Sequence, residues 1–158
     1  MKLYPSVVQH IAHNSYADPE RLCMADSRSA FSYGEVWSRI YGLSQRLQEL
    51  GVTRERCVAV ECSQNAGYMI CEFAIQLLGG VFVPIEKNAA TGRLAEILSD
   101  TQAVLYIGKD PAKLSAALDT IQTSCGPSQH SATPGFMDIS RAADFAYAPE
   151  DIPPPDEM

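Results

Sequence analysis

The sequence predicts an α/β fold with a mostly parallel sheet and helices on both faces, in Rossmann-like or flavodoxin-like layering. Three observations carry this prediction. Short apolar runs of strand length occur at residues 57–60, 81–85 and 103–107. Segments with helical periodicity separate them, and glycines at Gly51 and Gly79-Gly80 mark the ends of helices. Because strands and helices alternate, βαβ units are expected.

The first part of the chain predicts a helix followed by a hairpin. Apolar residues at helical spacing in 6–16 predict a short amphipathic helix. Two short strands, 22–25 and 29–31, flank a turn at 26–28. Ser32 then begins the clearest helix of the chain, because Ser32 and Glu35 have the spacing of a capping box. Its apolar stripe consists of Val36, Ile40, Leu43, Leu47 and Leu50.

The middle of the chain predicts a sheet with an edge strand. Residues 67–78 are apolar almost all round, which predicts a helix packed on both sides. Pro84 cannot donate to a strand ladder, so the strand 81–85 is expected at an edge or to end there. Leu94, Ile97 and Leu98 predict a short helix before the strand 103–107.

The last third predicts one more helix and strand, and then a linker. Asp110 and Pro111 form a cap and a first helical position. We expect an exposed loop at 124–135 and a last strand at 136–139, with Ser140 capping one helical turn. The tail 146–158 is acidic and rich in proline, as in an extended linker. The predicted division is therefore an α/β subdomain, 1–145, and a linker, 146–158.

Composition excludes several classes of function. The chain of 158 residues is 46% apolar and 20% charged, which is typical of one globular domain. Its net charge of −7 argues against nucleic acid and anionic membranes as partners. No apolar run approaches the length of a membrane span, and His10, His13 and Asn14 interrupt any signal-peptide core. The expected location is therefore the cytoplasm.

The cysteines predict buried thiols and no metal site or disulfide framework. There are five, an odd number, and no pair has CxxC spacing. Cys57, Cys62 and Cys71 lie in apolar segments and are expected to be reduced and to pack as small hydrophobic groups.

We weighed a few polar residues as candidate site groups and assign none a catalytic, cofactor or metal role. His10 and His13 can share a helix face, but no third ligand is visible. Ser63 or Ser140 would need a histidine nearby, and His130 lies in a polar loop. Glu61 and Glu86 follow strands, where α/β folds bind ligands. We expect them to be solvated loop acids. The acids of the tail, Glu150, Asp151, Asp156 and Glu157, are expected to serve solubility.

Three segments between residues 31 and 108 carry a family resemblance. The first is the helix start Ser32-Tyr33 with the exit Leu50-Gly51-Val52. The second is the strand 57–60, followed by Asn65 and an apolar helix. The third, 78–85, reads LGGVFVPI. In this order and spacing they resemble the opening of the AMP-forming (adenylate-forming) acyl-CoA synthetases and ligases, a superfamily that includes peptide-synthetase adenylation domains.

The resemblance implies a parent enzyme that joins a carboxylic acid to ATP and passes the acyl group to a thiol, with ATP, Mg²⁺ and coenzyme A as cofactors. The family's phosphate loop is rich in Ser, Thr and Gly and ends in Gly-x-Pro-Lys. The only local candidate, residues 123–128, has one glycine and no lysine. We therefore expect this chain to bind none of these cofactors and to be inactive alone. The expected partner is the downstream remainder of the same ligase.

One departure from the family pattern bears on the branch. The segment EKNAATGRL, 86–94, keeps the acidic residue and the Arg-Leu but lacks the prolines that peptide-synthetase domains tend to have. This favours the acyl-CoA ligase branch. Three alternatives stay open: a non-catalytic interaction module with the same fold, part of a peptide-synthetase adenylation domain, and a nucleotide- or flavin-binding domain. We also expect self-association through an apolar face that a neighbouring subdomain would cover.

Overall fold

A four-stranded parallel sheet between two helical layers forms the body of the molecule. The computed structural model describes residues 6–125, 133–140 and 145–154. The chain order is α1 (Val7–Ala17), β1 (Leu22–Ala25), β2 (Ala30–Ser32), α2 (Tyr33–Glu49), β3 (Cys57–Glu61), α3 (Ala66–Leu77), β4 (Val81–Ile85), α4 (Thr91–Thr101), β5 (Leu105–Gly108), α5 (Pro111–Cys125) and β6 (Gly135–Asp138). The predicted α/β class is confirmed.

The strands β4, β3, β5 and β6 lie in that order, and each pairs in parallel with its neighbours. Within this sheet the first two strands along the chain, β3 and β4, therefore exchange places, which is the flavodoxin-like order. Strand β4 lies at an edge, as Pro84 predicted. Strands β1 and β2 form a separate antiparallel hairpin with an irregular register between Leu22 and Met24.

The two faces of the sheet belong to two cores. Val58, Val60 and Ile107 pack with α1, α2 and α3, whereas Ala59 and Tyr106 pack with α4 and α5. This alternation follows from the two-residue period of a strand. Because both faces are covered, the strands can be apolar throughout, as their sequences are.

Local signals place α2 where the sequence predicted it. The Ser32 hydroxyl accepts a hydrogen bond from the Glu35 amide, and the Glu35 carboxylate accepts one from the Ser32 amide. Both halves of the capping box are therefore present. Gly51 follows the helix with φ +88°, a left-handed conformation that glycine adopts without a steric penalty.

Some boundaries and packing differ from the predictions. Helix α5 continues to Cys125, so it enters the stretch predicted as a loop. Residues 126–132 of that loop, and the helical turn expected after Ser140, lie outside the described residues. Helix α3 packs against α2 and the sheet but is not enclosed, since Met69 is 39% exposed and Gln76 is exposed.

Candidate functional site

A crevice of about 400 Å³ lies at the carboxyl edge of the sheet. Its walls are the loop that follows β3 (63–67), Lys87 after β4, Lys109 after β5, residues 139 and 140 after β6, and the hairpin turn 26–29. Strands β3 and β5 are neighbours whose next strands lie on opposite sides. Ligands of open α/β sheets bind at this kind of switch point. The crevice is therefore the candidate site.

Asp26 ties the hairpin to the start of α3. Its Oδ2 accepts a hydrogen bond from the Ala66 amide at 3.0 Å, and its Oδ1 accepts from the amides of Arg28 and Ser29 at 2.8 and 2.9 Å. These bonds, led by the one from Ala66, lower the pKa of the Asp26 carboxyl. Asn65 caps the same helix through its side-chain oxygen on the Tyr68 amide. The hairpin is thereby fixed as one wall of the crevice.

The charged lining suits an anion better than a metal ion. Arg28, Lys87 and Lys109 line the crevice from three loops. Asp26 is the one acidic residue in the described lining, and its oxygens already accept three amide hydrogens. Among the described residues there is also no group of three or more potential metal ligands. The described lining therefore offers three cationic side chains to an anionic group and no uncommitted carboxylate to the Mg²⁺ that the family resemblance implies.

The nucleophile candidates are not brought together with a base. Ser63 lines the crevice, but no histidine is in its described lining. The Ser140 hydroxyl donates to Asp138 at 2.8 Å, a contact that closes a local turn. His10 packs edge-on against Tyr33, and within the described ranges no group of three potential metal ligands includes it. His130 and residues 126–128 of the candidate phosphate loop lie outside the described residues. Thr123 belongs to α5, where its hydroxyl donates to the Asp119 carbonyl.

Glu61 corrects a prediction. It was expected to be a solvated loop acid, but it is the last residue of β3 and is only 7% exposed. The Tyr106 hydroxyl, fully buried on β5, donates to its Oε2 at 2.9 Å. Burial, and then the contact with Glu61, raise the pKa of Tyr106. A Cβ at Gly108 would lie 2.6 Å from this tyrosine ring, so the glycine makes room for the pair. Glu86, by contrast, is exposed as expected.

The cysteines are partly as predicted. Cys71 is fully buried, and burial raises the pKa of its thiol to about 12. Cys23, Cys57 and Cys62 are only half-buried. Cys62 follows β3 instead of lying in it, and its Sγ is 3.3 Å from the Tyr68 hydroxyl. Cys125 is at the end of α5, and its side chain is outside the described set.

The described part of the predicted linker, residues 145–154, lies on α1 and α2, and we call it the strap. Tyr147 donates its amide to the Ser38 hydroxyl at 2.9 Å, and the same hydroxyl donates to the Tyr147 carbonyl. Ile152 is 8% exposed and joins the core beneath α1 and α2. The backbone oxygen of Phe145 would lie 1.9 Å from a Cβ at Gly42, so only glycine admits the strap there. The domain boundary at 145/146 remains a prediction.

The fold and the crevice define a class, an α/β subdomain with a crevice at the switch point of its parallel sheet. The family model described as "AMP-binding enzyme" matches residues 11–157. Since the match covers nearly the whole chain, this chain belongs to the AMP-binding enzyme family. The predicted resemblance to the adenylate-forming enzymes is confirmed.

Two curated relatives illustrate the sequence similarity. The glycine betaine reductase of Emericella nidulans is 28% identical over 141 residues, which is 84% of this chain and 11% of the relative. The human mitochondrial malonate–CoA ligase is 29% identical over 93 residues, 56% of this chain and 16% of the relative. The chain thus spans about a tenth to a sixth of the length of these relatives.

Solved structures confirm the fold. The N-terminal subdomain of Klebsiella oxytoca NpsA, in complex with 3-hydroxybenzoyl-AMSN, has a TM-score of 0.67 at 17% identity and covers 90% of this chain and 32% of its own. The inhibitor-bound N-terminal domain of FACL13 from Mycobacterium tuberculosis has a TM-score of 0.69 at 16% identity, with 92% of this chain and 37% of its own covered. The chain therefore has the fold of the N-terminal subdomain of adenylate-forming enzymes.

Proposed function

We propose that the chain is the N-terminal subdomain of an ATP-dependent carboxylate–CoA ligase and does not turn over alone. The family match over residues 11–157 carries the proposal. The parent reaction converts a carboxylate, whose oxygen is a poor leaving group, into an acyl-adenylate whose AMP leaves readily, and then forms a thioester. Mg²⁺ and cationic groups stabilise the charge on the transferring phosphate in reactions of this class.

The role proposed for this chain is that of a scaffold. Two of its acidic groups are committed to structure: Asp26 accepts from three amides, and the buried Glu61 accepts from Tyr106. Gly-x-Pro-Lys, the end of the family's phosphate loop, does not occur in the printed sequence. We infer that ATP, Mg²⁺ and coenzyme A are bound by other parts of the parent enzyme and that those parts are the main partner of this chain.

The CoA branch rests on a finer observation. The segment after β4 lacks the prolines typical of peptide-synthetase domains, and malonate–CoA ligases are among the relatives. The test is to read the transcript through codon 158 and beyond, and to assay the complete product with ATP and a panel of carboxylic acids. Thioester formation on free coenzyme A supports the proposal. Transfer only to the pantetheine arm of a carrier protein would overturn the CoA branch while leaving the adenylate-forming class intact.

A peptide-synthetase adenylation domain is the second candidate. It is supported by relatives such as the Shigella flexneri enterobactin synthase component F, 28% identical over 100 residues, and by the peptide synthetase FmoA3, with a TM-score of 0.69 over 98% of this chain. The carrier-protein outcome above would select it. A non-catalytic interaction module is the third; a stop codon directly after Met158 and a stable partner in pull-downs would support it.

Location and assembly remain proposals. Among the described residues, no helix combines the length and apolar character needed to cross a bilayer. We propose the cytoplasm, which fractionation of cells that express a tagged chain would test. Large apolar side chains are exposed at Val7, Leu22 and Val81. We propose that the isolated chain self-associates through such surface, and a single monomeric species in sedimentation velocity at high concentration would contradict this.

A further inference from the structure

Strand β4 forms one edge of the parallel sheet, and β3 is its partner among the described strands. An open edge carries backbone N–H and C=O groups that can pair with a strand of another chain, and natural proteins protect such edges. Val81 and Pro84 are exposed on this strand. Within the described part of the chain the edge is therefore accessible, and its backbone groups decide whether a strand can be added.

The register with β3 fixes which backbone groups of β4 face outward. The Val81 amide donates to the Arg56 carbonyl at 2.8 Å, and the parallel pairing continues in register to Ile85. The N–H and C=O groups of one residue point to the same side of a strand, and successive residues alternate between the two sides. Every second residue from Val81 therefore faces β3, which leaves Phe82 and Pro84 facing outward.

The outward side of β4 has a single N–H. Gly80, the outward-facing residue before the strand, donates its amide to the Ile75 carbonyl at 3.0 Å. Phe82 supplies an N–H, whereas Pro84 has none because its nitrogen is part of the ring. The proline ring also fills the space from which an N–H would donate. The edge thus offers carbonyl acceptors but lacks the second donor that a ladder needs.

A second copy of the chain is the partner strand that this edge would meet first, because every copy presents the same β4. In a two-fold antiparallel pairing centred on residue 83, Phe82 of one copy would face residue 84 of the other. Residues that face each other in this way exchange both N–H···O bonds. Pro84 removes one bond of each exchange and leaves the facing Phe82 carbonyl without a donor, which is costly once the carbonyl is buried.

From this geometry we propose that Pro84 closes the β4 edge to strand addition and so ends the parallel sheet within one chain. The proposal does not rest on the proposed ligase function. It restricts the self-association proposed above to contacts between side chains, since the backbone of this edge is not available for pairing.

Amide hydrogen exchange of the ¹⁵N-labelled 158-residue chain tests the geometry first. The Phe82 amide is expected to exchange close to the rate of an unprotected amide, whereas the amides of Val81 and Val83, which face β3, are expected to be protected. The Phe82 rate should be the same at low and high protein concentration, because contacts between side chains leave this N–H in water. A protected Phe82 amide in the wild type would overturn the proposal.

Pro84→Thr restores an N–H at the outward position. We expect the Phe82 amide of this variant to become protected as the concentration rises, with exchange slowed about tenfold where nine-tenths of the chains are paired, and a dimer to appear in sedimentation velocity. Val81→Thr is the matched control, because it places the same side chain on the same strand but keeps Pro84. We expect it to behave as the wild type does. Circular dichroism establishes that both variants are folded.

Two results with the variants would also overturn the proposal. One is a folded Pro84→Thr whose Phe82 amide stays unprotected up to the highest soluble concentration. The other is a Val81→Thr that gains the same protection as Pro84→Thr, since the effect would then belong to the threonine side chain and not to the restored N–H. If Pro84→Thr does not fold, the exchange rate of the Phe82 amide in the wild type decides the question.

Discussion

The buried pair Tyr106–Glu61 gives the sharpest test of the structure. Tyr106→Phe removes the hydroxyl that donates to Glu61 at 2.9 Å and leaves a carboxylate that is only 7% exposed without that donor. A hydrogen bond to a charged group contributes about 1.5–3 kcal/mol. For a chain of this size that corresponds to a fall in Tm of about 3–12 °C, measured by circular dichroism and checked by urea unfolding.

Two controls isolate the effect. Tyr41→Phe deletes a hydroxyl that has no hydrogen-bond partner within the described ranges, and Glu86→Gln neutralises the exposed acid that follows the neighbouring strand. Both are expected to change stability by less than about 0.5 kcal/mol. If Tyr106→Phe is no more destabilising than these two, the buried pair does not exist as described.

The pair also predicts a dependence on pH. The pKa of Tyr106 is raised in the fold, while the unfolded tyrosine titrates near pH 10. Its contribution is therefore complete below about pH 10 and is lost as pH rises toward the folded pKa, since the unfolded state releases its proton first. The stability difference between the wild type and Tyr106→Phe should shrink above about pH 10. A difference that grows with pH would contradict the assignment.

Three further predictions concern the strap, a helix cap and the hairpin. Gly42→Ala places a methyl against the Phe145 carbonyl, so it should lower the free energy of unfolding by about 1–3 kcal/mol and speed hydrogen exchange in the strap. The control Gly92→Ala, whose methyl meets nothing within 4 Å, should be neutral or stabilising. Equal effects of the two substitutions would count against docking of the strap on α2. Ser32→Ala removes half of the capping box and should reduce the free energy of unfolding by about 1 kcal/mol in urea, a change that Ser32→Asp should largely avoid. Because the pKa of Asp26 is lowered in the fold, its ionised carboxyl stabilises the protein above the unfolded pKa near 3.9, and this stabilisation is lost as pH falls through the folded pKa. Asp26→Asn should therefore flatten the acid limb of a curve of stability against pH. An unchanged limb would show that the three amide bonds of Asp26 do not form.

The elements that the sequence predicted well are those whose signals are local. Helix α2 begins directly after its cap, Ser32, and ends before Gly51 because the cap, the apolar stripe and the glycine lie within one segment of the chain. The edge position of β4 followed from Pro84 for the same reason, since a missing N–H is a property of one residue.

The missed features depend on contacts between distant residues. In the sequence, Glu61 has the position of a loop acid after a strand. In the fold, the pairing of β3 with β5 brings the hydroxyl of Tyr106, 45 residues away, to the Glu61 carboxylate. The strap has the composition of a linker, and its docking depends on Ser38 and on the missing side chain of Gly42, about a hundred positions earlier. A signal was present in both cases: Glu61 directly follows a buried run, and Gly42 interrupts a helix in which glycine is unfavourable.

The crevice was only partly predictable. The rule that ligands bind beyond the ends of strands pointed to Glu61 and Glu86. The charged residues that line the crevice are instead Asp26, Arg28, Lys87 and Lys109. The order of the strands and the position of the hairpin decide this, and neither is encoded in a local pattern.

We propose that this chain is a scaffold of an adenylate-forming enzyme and that other parts of the parent enzyme supply the groups for its chemistry. ATP–pyrophosphate exchange with the purified 158-residue chain, Mg²⁺ and a panel of carboxylic acids tests it most directly, with a complete adenylate-forming enzyme as the positive control. We predict a cooperatively folded chain with no exchange above the blank. Exchange that depends on a carboxylic acid, and that the chain supports by itself, would contradict the claim.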